Sequence, residues 1–278
     1  MKKGTGWIRH IPLLADFSPS AMRIAYVTLT GFLVFVYPWS LLFIVWGGLP
    51  AEFAWTGSIV IILFGVTTLL SELRRGFKRR VLMEFLLLTA GLFGVECLGQ
   101  RTGFPFGHYT YTEVLGLTVA GVPVAISFAW YSSIVNARRL AGRLSQAHGW
   151  SRIWPTALIA GIIALALDLV LEPMAAFVHG YWIWRDGSVP LQNYAAWFAL
   201  TVITVFLLER AQPNTEPLPG TVHHALLILG MQWGLFMATA VVHRHYVPAL
   251  ISALLAIGLF MNRRDLSLRL LHNQTAPE

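Results

Sequence analysis

Residues 122–131 read VPVAISFAWY, and residues 189–198 read VPLQNYAAWF. Both decapeptides begin V-P and close on A-W followed by an aromatic residue. Each follows a glycine with alternating aromatics: Gly107-His-Tyr109-Thr-Tyr111 before the first, Gly180-Tyr-Trp182-Ile-Trp184 before the second. Upstream of each glycine lies an apolar stretch with a carboxylate near its end, Glu96 in one case and Asp168 in the other. The chain therefore reads as one helix, aromatic loop and helix unit written twice, at residues 82–136 and 154–208. Folded together, the copies bring Glu96, Asp168 and Glu172, with a set of aromatic rings, to one rim of a bundle.

Composition says what kind of bundle. Hydrophobic residues make up 56% of the 278, and charged residues only 12%, about half the usual globular share. That excludes an ordinary soluble domain. Apolar runs occur at roughly 24–46, 54–71, 82–100, 116–136, 154–173, 192–208, 221–242 and 246–262. They approach the ~20 residues a helix needs to cross a ~30 Å hydrocarbon core. The expected fold is all-α: a polytopic membrane helix bundle of about eight transmembrane helices, forming one integral membrane domain over 1–278. The fifth and sixth runs are interrupted by Asp168, Glu172 and Asn193. Both repeated pairs, helices 3–4 and 5–6, enter from the same side and are parallel copies.

The first twenty residues are not expected to form a cleavable export signal, because Pro12, Asp16 and Pro19 break the apolar stretch such a signal needs. Trp7, Ile8, Ile11, Leu13 and Leu14 suit a segment lying on the membrane surface. The single Cys97 falls within a predicted span, so disulfides contribute nothing.

A pI near 9.9 would suit nucleic acid, but the placement of charge argues for membrane topology. Five basic residues crowd RRGFKRR at 74–80, four lie in 138–152, and seven more lie toward the two ends. With the N-terminus cytoplasmic and eight helices following, all the Lys and Arg except Arg101, Arg185 and Arg244 face the cytoplasm. That is the positive-inside pattern. It makes both termini cytoplasmic, including the tail at 263–278, and puts loops 101–115 and 174–191 outside. An anionic-lipid contact is the other use of the 74–80 cluster. The polar connection at 209–220, with three prolines and a glycine, is a loop.

Charged groups within a bilayer cost roughly 2.5–3.5 kcal/mol each on insertion scales and are usually functional or paired. Asp168 and Glu172 stand one helical turn apart, so both point to one face. Two close carboxylates in a dry cavity cannot both ionise easily, which leaves one as an acid and the other as a base. The competing reading bonds them to neighbouring helices or to an arginine at the rim. Glu96 holds the matching place in the first copy, one turn before Gln100. Glu72 and Glu84, near the cytoplasmic end, are expected to be ion-paired beside the basic residues 74–80.

Tyr109, Tyr111, Tyr181, Trp182 and Trp184 lie where an interfacial aromatic belt is expected, but a belt does not explain their recurrence after a glycine. Trp130 and Trp197 are deeper than a belt requires. Such rings hold a polyene by stacking and stabilise a carbocation through cation–π attraction. His108 is placed to assist a proton relay. His223, His224, His243 and His245 sit near opposite ends of helix 7, too far apart to share a metal. No H-E-x-x-H or phosphate-binding glycine motif occurs. No metal and no cofactor are expected.

At these motifs the sequence resembles a known family, the membrane carotenoid 1',2'-hydratases of bacteria and haloarchaea. The resemblance rests on GFPFGHYTY at 103–111, GVPVAISFAW at 121–130, DLVLEPMA at 168–175, GYWIW at 180–184 and VPLQNYAAWF at 189–198. It covers roughly residues 80–210. It implies a cofactor-independent hydratase, in the bacterial plasma membrane, that adds water to the terminal 1',2' double bond of an acyclic carotenoid end. Asp168 by preference would donate the proton, and Trp182, Trp184 and Tyr109 would face the resulting cation. Glu172 or Glu96 would act as base, and Gln192 or Asn193 would orient water. The partners implied are the carotenoid substrate within the bilayer, membrane lipid and other enzymes of carotenoid synthesis, with no nucleic acid.

A more distant likeness is to the small membrane lycopene cyclases, which carry a Pro-Leu-acid-acid motif. Here that motif reads Pro190-Leu191-Gln192-Asn193, amides in place of acids, which counts against cyclisation. A cyclase using the same protonation, and a carrier of isoprenoid lipid that needs the aromatic cleft but not the acids, are the other classes open at this point.

Overall fold

The computed structural model describes residues 19–48, 50–74, 76, 78–147, 153–211 and 219–261. Residues 1–18 of the interfacial segment expected at 1–22, the tail at 263–278 and most of the 209–220 loop lie outside the described residues, while residues 19–22 open α1. Among the described residues, eight α-helices form the bundle: α1 Pro19–Val45, α2 Thr56–Leu73, α3 Lys78–Thr102, α4 Val124–Ala147, α5 Ile153–Phe177, α6 Leu191–Ala211, α7 Pro219–Val242 and α8 Tyr246–Met261. Four short strands accompany them: β1 Tyr109–Tyr111, β2 Thr118–Val119, β3 Val122–Pro123 and β4 Trp182–Trp184. The protein is an all-α, multi-pass membrane bundle.

Among the described residues, six helices are long and apolar enough to cross a membrane: α1, α2, α3, α5, α6 and α7. The other two expected spans fall short for separate reasons. α8 is short, at 16 residues. α4 is long enough, at 24 residues, but carries Arg138, Arg139 and Arg143.

The start of α4 corrects the sequence reading, which begins its fourth run at 116. Residues 118–123 instead form a tight hairpin, β2 against β3, with Thr118 opposite Pro123. Gly116 and Gly121 hold positive φ there, so an apolar segment that would otherwise be helical turns back on itself. The helix begins immediately after Pro123, and α6 begins immediately after Pro190. A proline that presets φ just before a helix suits both places.

α5 is the central post, packed against α4, α6, α7 and α8. Its composition explains why. Between helices in lipid, packing rather than water exclusion drives association, so small residues that let backbones approach are favoured. Ala157, Ala160 and Ala164 are fully buried on α5. A side chain on Gly161 would run into Val202 and Phe198 of α6. The outer faces show the reverse pattern: Ile24, Phe32 and Phe35 of α1, Leu86 and Leu87 of α3, and Leu250 and Leu254 of α8 are exposed, as suits contact with lipid.

At one end of the bundle the charges are knitted together. Arg138 donates from Nε to Glu209 Oε1 at 2.7 Å and from Nη1 to Glu84 Oε1 at 2.9 Å. Arg139 makes a two-point contact with Glu72, Nε to Oε1 at 2.8 Å and Nη2 to Oε2. Both arginines are buried. The sequence reading treats 138–152 as a cytoplasmic segment and gives Glu72 and Glu84 to the 74–80 cluster. The structure puts Arg138 and Arg139 inside α4, where a planar guanidinium meets carboxylates from α2, α3 and α6. Charge in a span is tolerable when so paired.

Candidate active site

At the opposite end from these ion pairs, the two aromatic motifs meet. β1 and β4 pair antiparallel, with Tyr109 opposite Trp184, Thr110 opposite Ile183 and Tyr111 opposite Trp182. Backbone bonds extend the contact on both sides: Thr112 N–H donates to the Tyr181 carbonyl at 3.0 Å, and Arg185 N–H to that of His108 at 3.0 Å. The glycines that open the motifs, Gly107 and Gly180, both have positive φ, which lets each chain turn sharply from loop into strand. The loops that the sequence places on one side are thus joined directly.

Strand geometry then sorts the side chains. Alternate residues point to opposite faces, so Thr110 and Ile183 face out and are exposed, while Tyr109, Trp182 and Trp184 are buried and Tyr111 is half-buried. The inward rings cover two carboxylates. Glu96 Oε2 accepts from Tyr109 OH at 2.5 Å and Tyr111 OH at 2.8 Å, and its Oε1 accepts from Trp130 Nε1 at 2.7 Å. Glu172 Oε1 accepts from Trp182 Nε1 at 2.5 Å and Trp184 Nε1 at 2.9 Å. The first and third residues of each strand thus serve the glutamate of the helix before it.

This partner pattern revises one correspondence. The sequence pairs Glu96 with Asp168, but Glu172, one turn on, makes the matching bonds. Asp168 accepts from Asn193 Nδ2 at 3.2 Å through Oδ2, is 0% exposed, and has no hydrogen-bond partner on Oδ1 among the described residues. Asn193 also acts on Glu172.

Trp130 and Trp197 stack face to face beneath the strands, centroids 3.7 Å apart. With Tyr109, Tyr111, Trp182 and Trp184 they wall a cavity of about 400 Å³. Glu96, Glu172, Asn193 and Tyr181 also line it, and it reaches along α7 and α2 to the end of α1. Its volume falls within the usual range of small-molecule sites, ~300–1,000 Å³.

Not every residue singled out from sequence arrives there. Asp168 lies behind Glu172 and lines no part of the cavity. Gln192 is exposed and donates from Nε2 to the Gly103 carbonyl at 3.3 Å. His108 is exposed too.

Sequence reasoning missed His179, Gln232 and Thr239 and weighed His243 only as a metal ligand, and all four line the cavity. His179 stacks on Tyr181 at 5.3 Å. Burial, helped by nearby His243, holds its imidazole at about 4. A lone histidine after a helix and a glutamine in an apolar span carry no motif, so only their placement reveals them. Among the described residues no group of acids, histidines and cysteine could hold a metal ion.

The cavity is chemically suited to acid–base work on an apolar molecule: two carboxyl groups, each held by ring donors, inside a wall of aromatic faces. Comparison with known proteins gives the family. A sequence profile of carotenoid biosynthesis proteins matches residues 57–259, and the chain belongs to that family. It is 31% identical over 158 residues to a bisanhydrobacterioruberin hydratase of Haloarcula japonica, covering 53% of this chain and 53% of the relative. The chain thus spans about half the length of the curated relative it matches. No solved structure matches it.

Proposed function

We propose that the protein is a carotenoid hydratase of the bacterial plasma membrane, with both termini cytoplasmic, that adds water across the terminal 1',2' double bond of an acyclic end group. The observation that carries this reading is the pair Glu96 and Glu172, each tethered by ring donors, lining one aromatic cavity. The Haloarcula relative is named as a hydratase, which supports the reaction type.

In this reading Glu172 is the acid. Both indole N–H groups converge on its Oε1, which fixes the carboxyl with Oε2 as the proton-bearing oxygen. The proton moves from Glu172 to carbon 2' as the double bond breaks, leaving a tertiary cation at carbon 1'. Tyr109, Trp182, Trp184 and the Trp130–Trp197 stack present π-faces to that charge, a desolvated cation–π interaction worth ~2 kcal/mol or more. Water bonds to carbon 1' and gives its extra proton to Glu96, whose phenol partners both give and accept protons. The proton that Glu96 gains returns to Glu172 through water in the cavity both line, which closes the cycle, and Asp168, bonded to Asn193, positions that amide beside Glu172. Hydration is redox-neutral, and atoms balance without a cofactor.

Cyclisation would begin with the same proton but trap the cation with an internal double bond. The amides Gln192 and Asn193, where the cyclases carry acids, favour hydration. Expression in a host that accumulates lycopene or gamma-carotene, with mass analysis of the pigments, decides between them. A product heavier by one water is expected; an isomer of unchanged mass would indicate a cyclase, and unaltered pigment a carrier.

A further inference from the structure

The aromatic walls and both glutamates come from the two similar units, but one face of the cavity comes from α7, which has no counterpart in either. Its cavity-facing residues include Gln232 and Thr239, and His243 follows just past its end. Thr239 and His243 are one turn apart, and Gln232 lies two turns before Thr239, so the three follow one side of the helix. The line runs from an exposed end at His243 to a buried end at Gln232, which is 6% exposed. It is a polar track along an otherwise apolar helix.

Gln232 is held but not satisfied. Its Nε2 donates to Ser132 Oγ on α4 at 3.3 Å, while Oε1 is buried with no hydrogen-bond partner among the described residues. Because a serine hydroxyl both donates and accepts, either orientation of the amide leaves one of its atoms for a further partner. An amide left so in a membrane interior is costly unless something bonds to it. It also lines the same cavity as Glu96 and Glu172.

We infer that Gln232 binds the attacking water, which reaches the cavity along the Thr239–His243 side of α7. This rests on the hydratase reading and deepens it. The water donates one hydrogen bond to Oε1, which turns a lone pair toward the cation. As carbon 1' and the water oxygen bond, the released proton passes to Glu96. Without Gln232 the cation still forms, but it is quenched by returning a proton to a carboxylate, which regenerates an alkene.

The test is turnover of lycopene in D₂O by membranes carrying the wild-type protein, Gln232→Met or Gln232→Asn. Wild type should give hydrated product. Gln232→Met, similar in volume but without the amide, should lose about tenfold or more of that product, the scale of one hydrogen bond. Its recovered lycopene should carry deuterium at the end group, because protonation and deprotonation continue. Gln232→Asn, which withdraws the amide by one carbon, should behave the same way and serves if the methionine variant does not fold. Undiminished hydration in either variant overturns the inference while leaving the hydratase reading intact. So does loss of both hydration and deuterium exchange in a variant that still binds pigment, which would make Gln232 part of substrate binding. A wild-type protein that forms no hydrate overturns both readings together.

Discussion

Trp130 on α4 and Trp197 on α6 stack with planes only 15° apart and centroids at 3.7 Å, yet only Trp130 also bonds a carboxylate, Glu96 Oε1. The two rings therefore separate a packing role from a polar one. Trp130→Phe keeps a stacked ring but removes the N–H donor. Hydration should fall about tenfold, one lost hydrogen bond's worth, with pigment binding retained. Trp197→Phe should leave turnover within a few-fold of normal, and pigment assays on both variants check the contrast.

The carboxylates should rank by their access to the cavity. Glu172→Gln keeps the shape but cannot donate as an acid, so hydration should drop by ~10²–10⁴-fold, the range for general acid catalysis. Glu96→Gln should also be severe. Asp168→Asn should cost less, because it acts through its neighbour. Should Asp168→Asn show the largest loss while the protein still inserts, the donor is Asp168 and the order proposed here is wrong.

At the far end, Arg139→Leu strands Glu72 without its two-point partner. Removing one member of a buried pair typically costs 3–5 kcal/mol. Thermal unfolding in detergent should show a marked fall for Arg139→Leu and substantial recovery in the Arg139→Leu/Glu72→Leu double variant. Equal losses in the two would mean the pair is not what stabilises that end.

Orientation is open to a direct check. Reporter fusions after residues 77, 108, 145, 186 and 214 should alternate between inside and outside, beginning inside. A cytoplasmic signal at 108 or 186 would put the paired strands on the wrong side of the membrane for this reading.

His179 gives stability a pH slope. Its folded value, about 4, lies below the ordinary 6.5, so between these values the unfolded chain binds a proton that the folded chain does not. Stability should therefore fall as pH drops from 6.5 toward 4, and hold above 6.5. His179→Gln should flatten that part of the curve in melts at pH 7.5, 5.5 and 4.5.

The sequence reveals helices where apolar runs are long and the site where an unusual pattern recurs. Glu96, Glu172 and seven aromatic residues that line the cavity were legible because intramembrane acids are rare and the motif repeats at fixed spacing. What misleads is context that only pairing supplies. Arg138 and Arg139 look like a helix end until three glutamates from other helices reach them. Residues 116–123 are apolar enough for a span until glycine conformations bend them into a hairpin. Spacing matches Glu96 with Asp168, but the strand indoles bond Glu172, one turn on, a difference only the folded strand reveals.

The strand pairing at Thr110 and Ile183 has a further consequence. Tyr109 faces Trp184 as Trp182 faces Tyr111, the reciprocal contact that two identical subunits make across a two-fold axis. Identical subunits, however, must present the same residues twice. Carried within a single chain, the same geometry lets the halves diverge, with the strand giving phenols to one glutamate and indoles to the other. A reaction that asks one group to give a proton and another to take one is served by that inequality, which a symmetric dimer cannot encode.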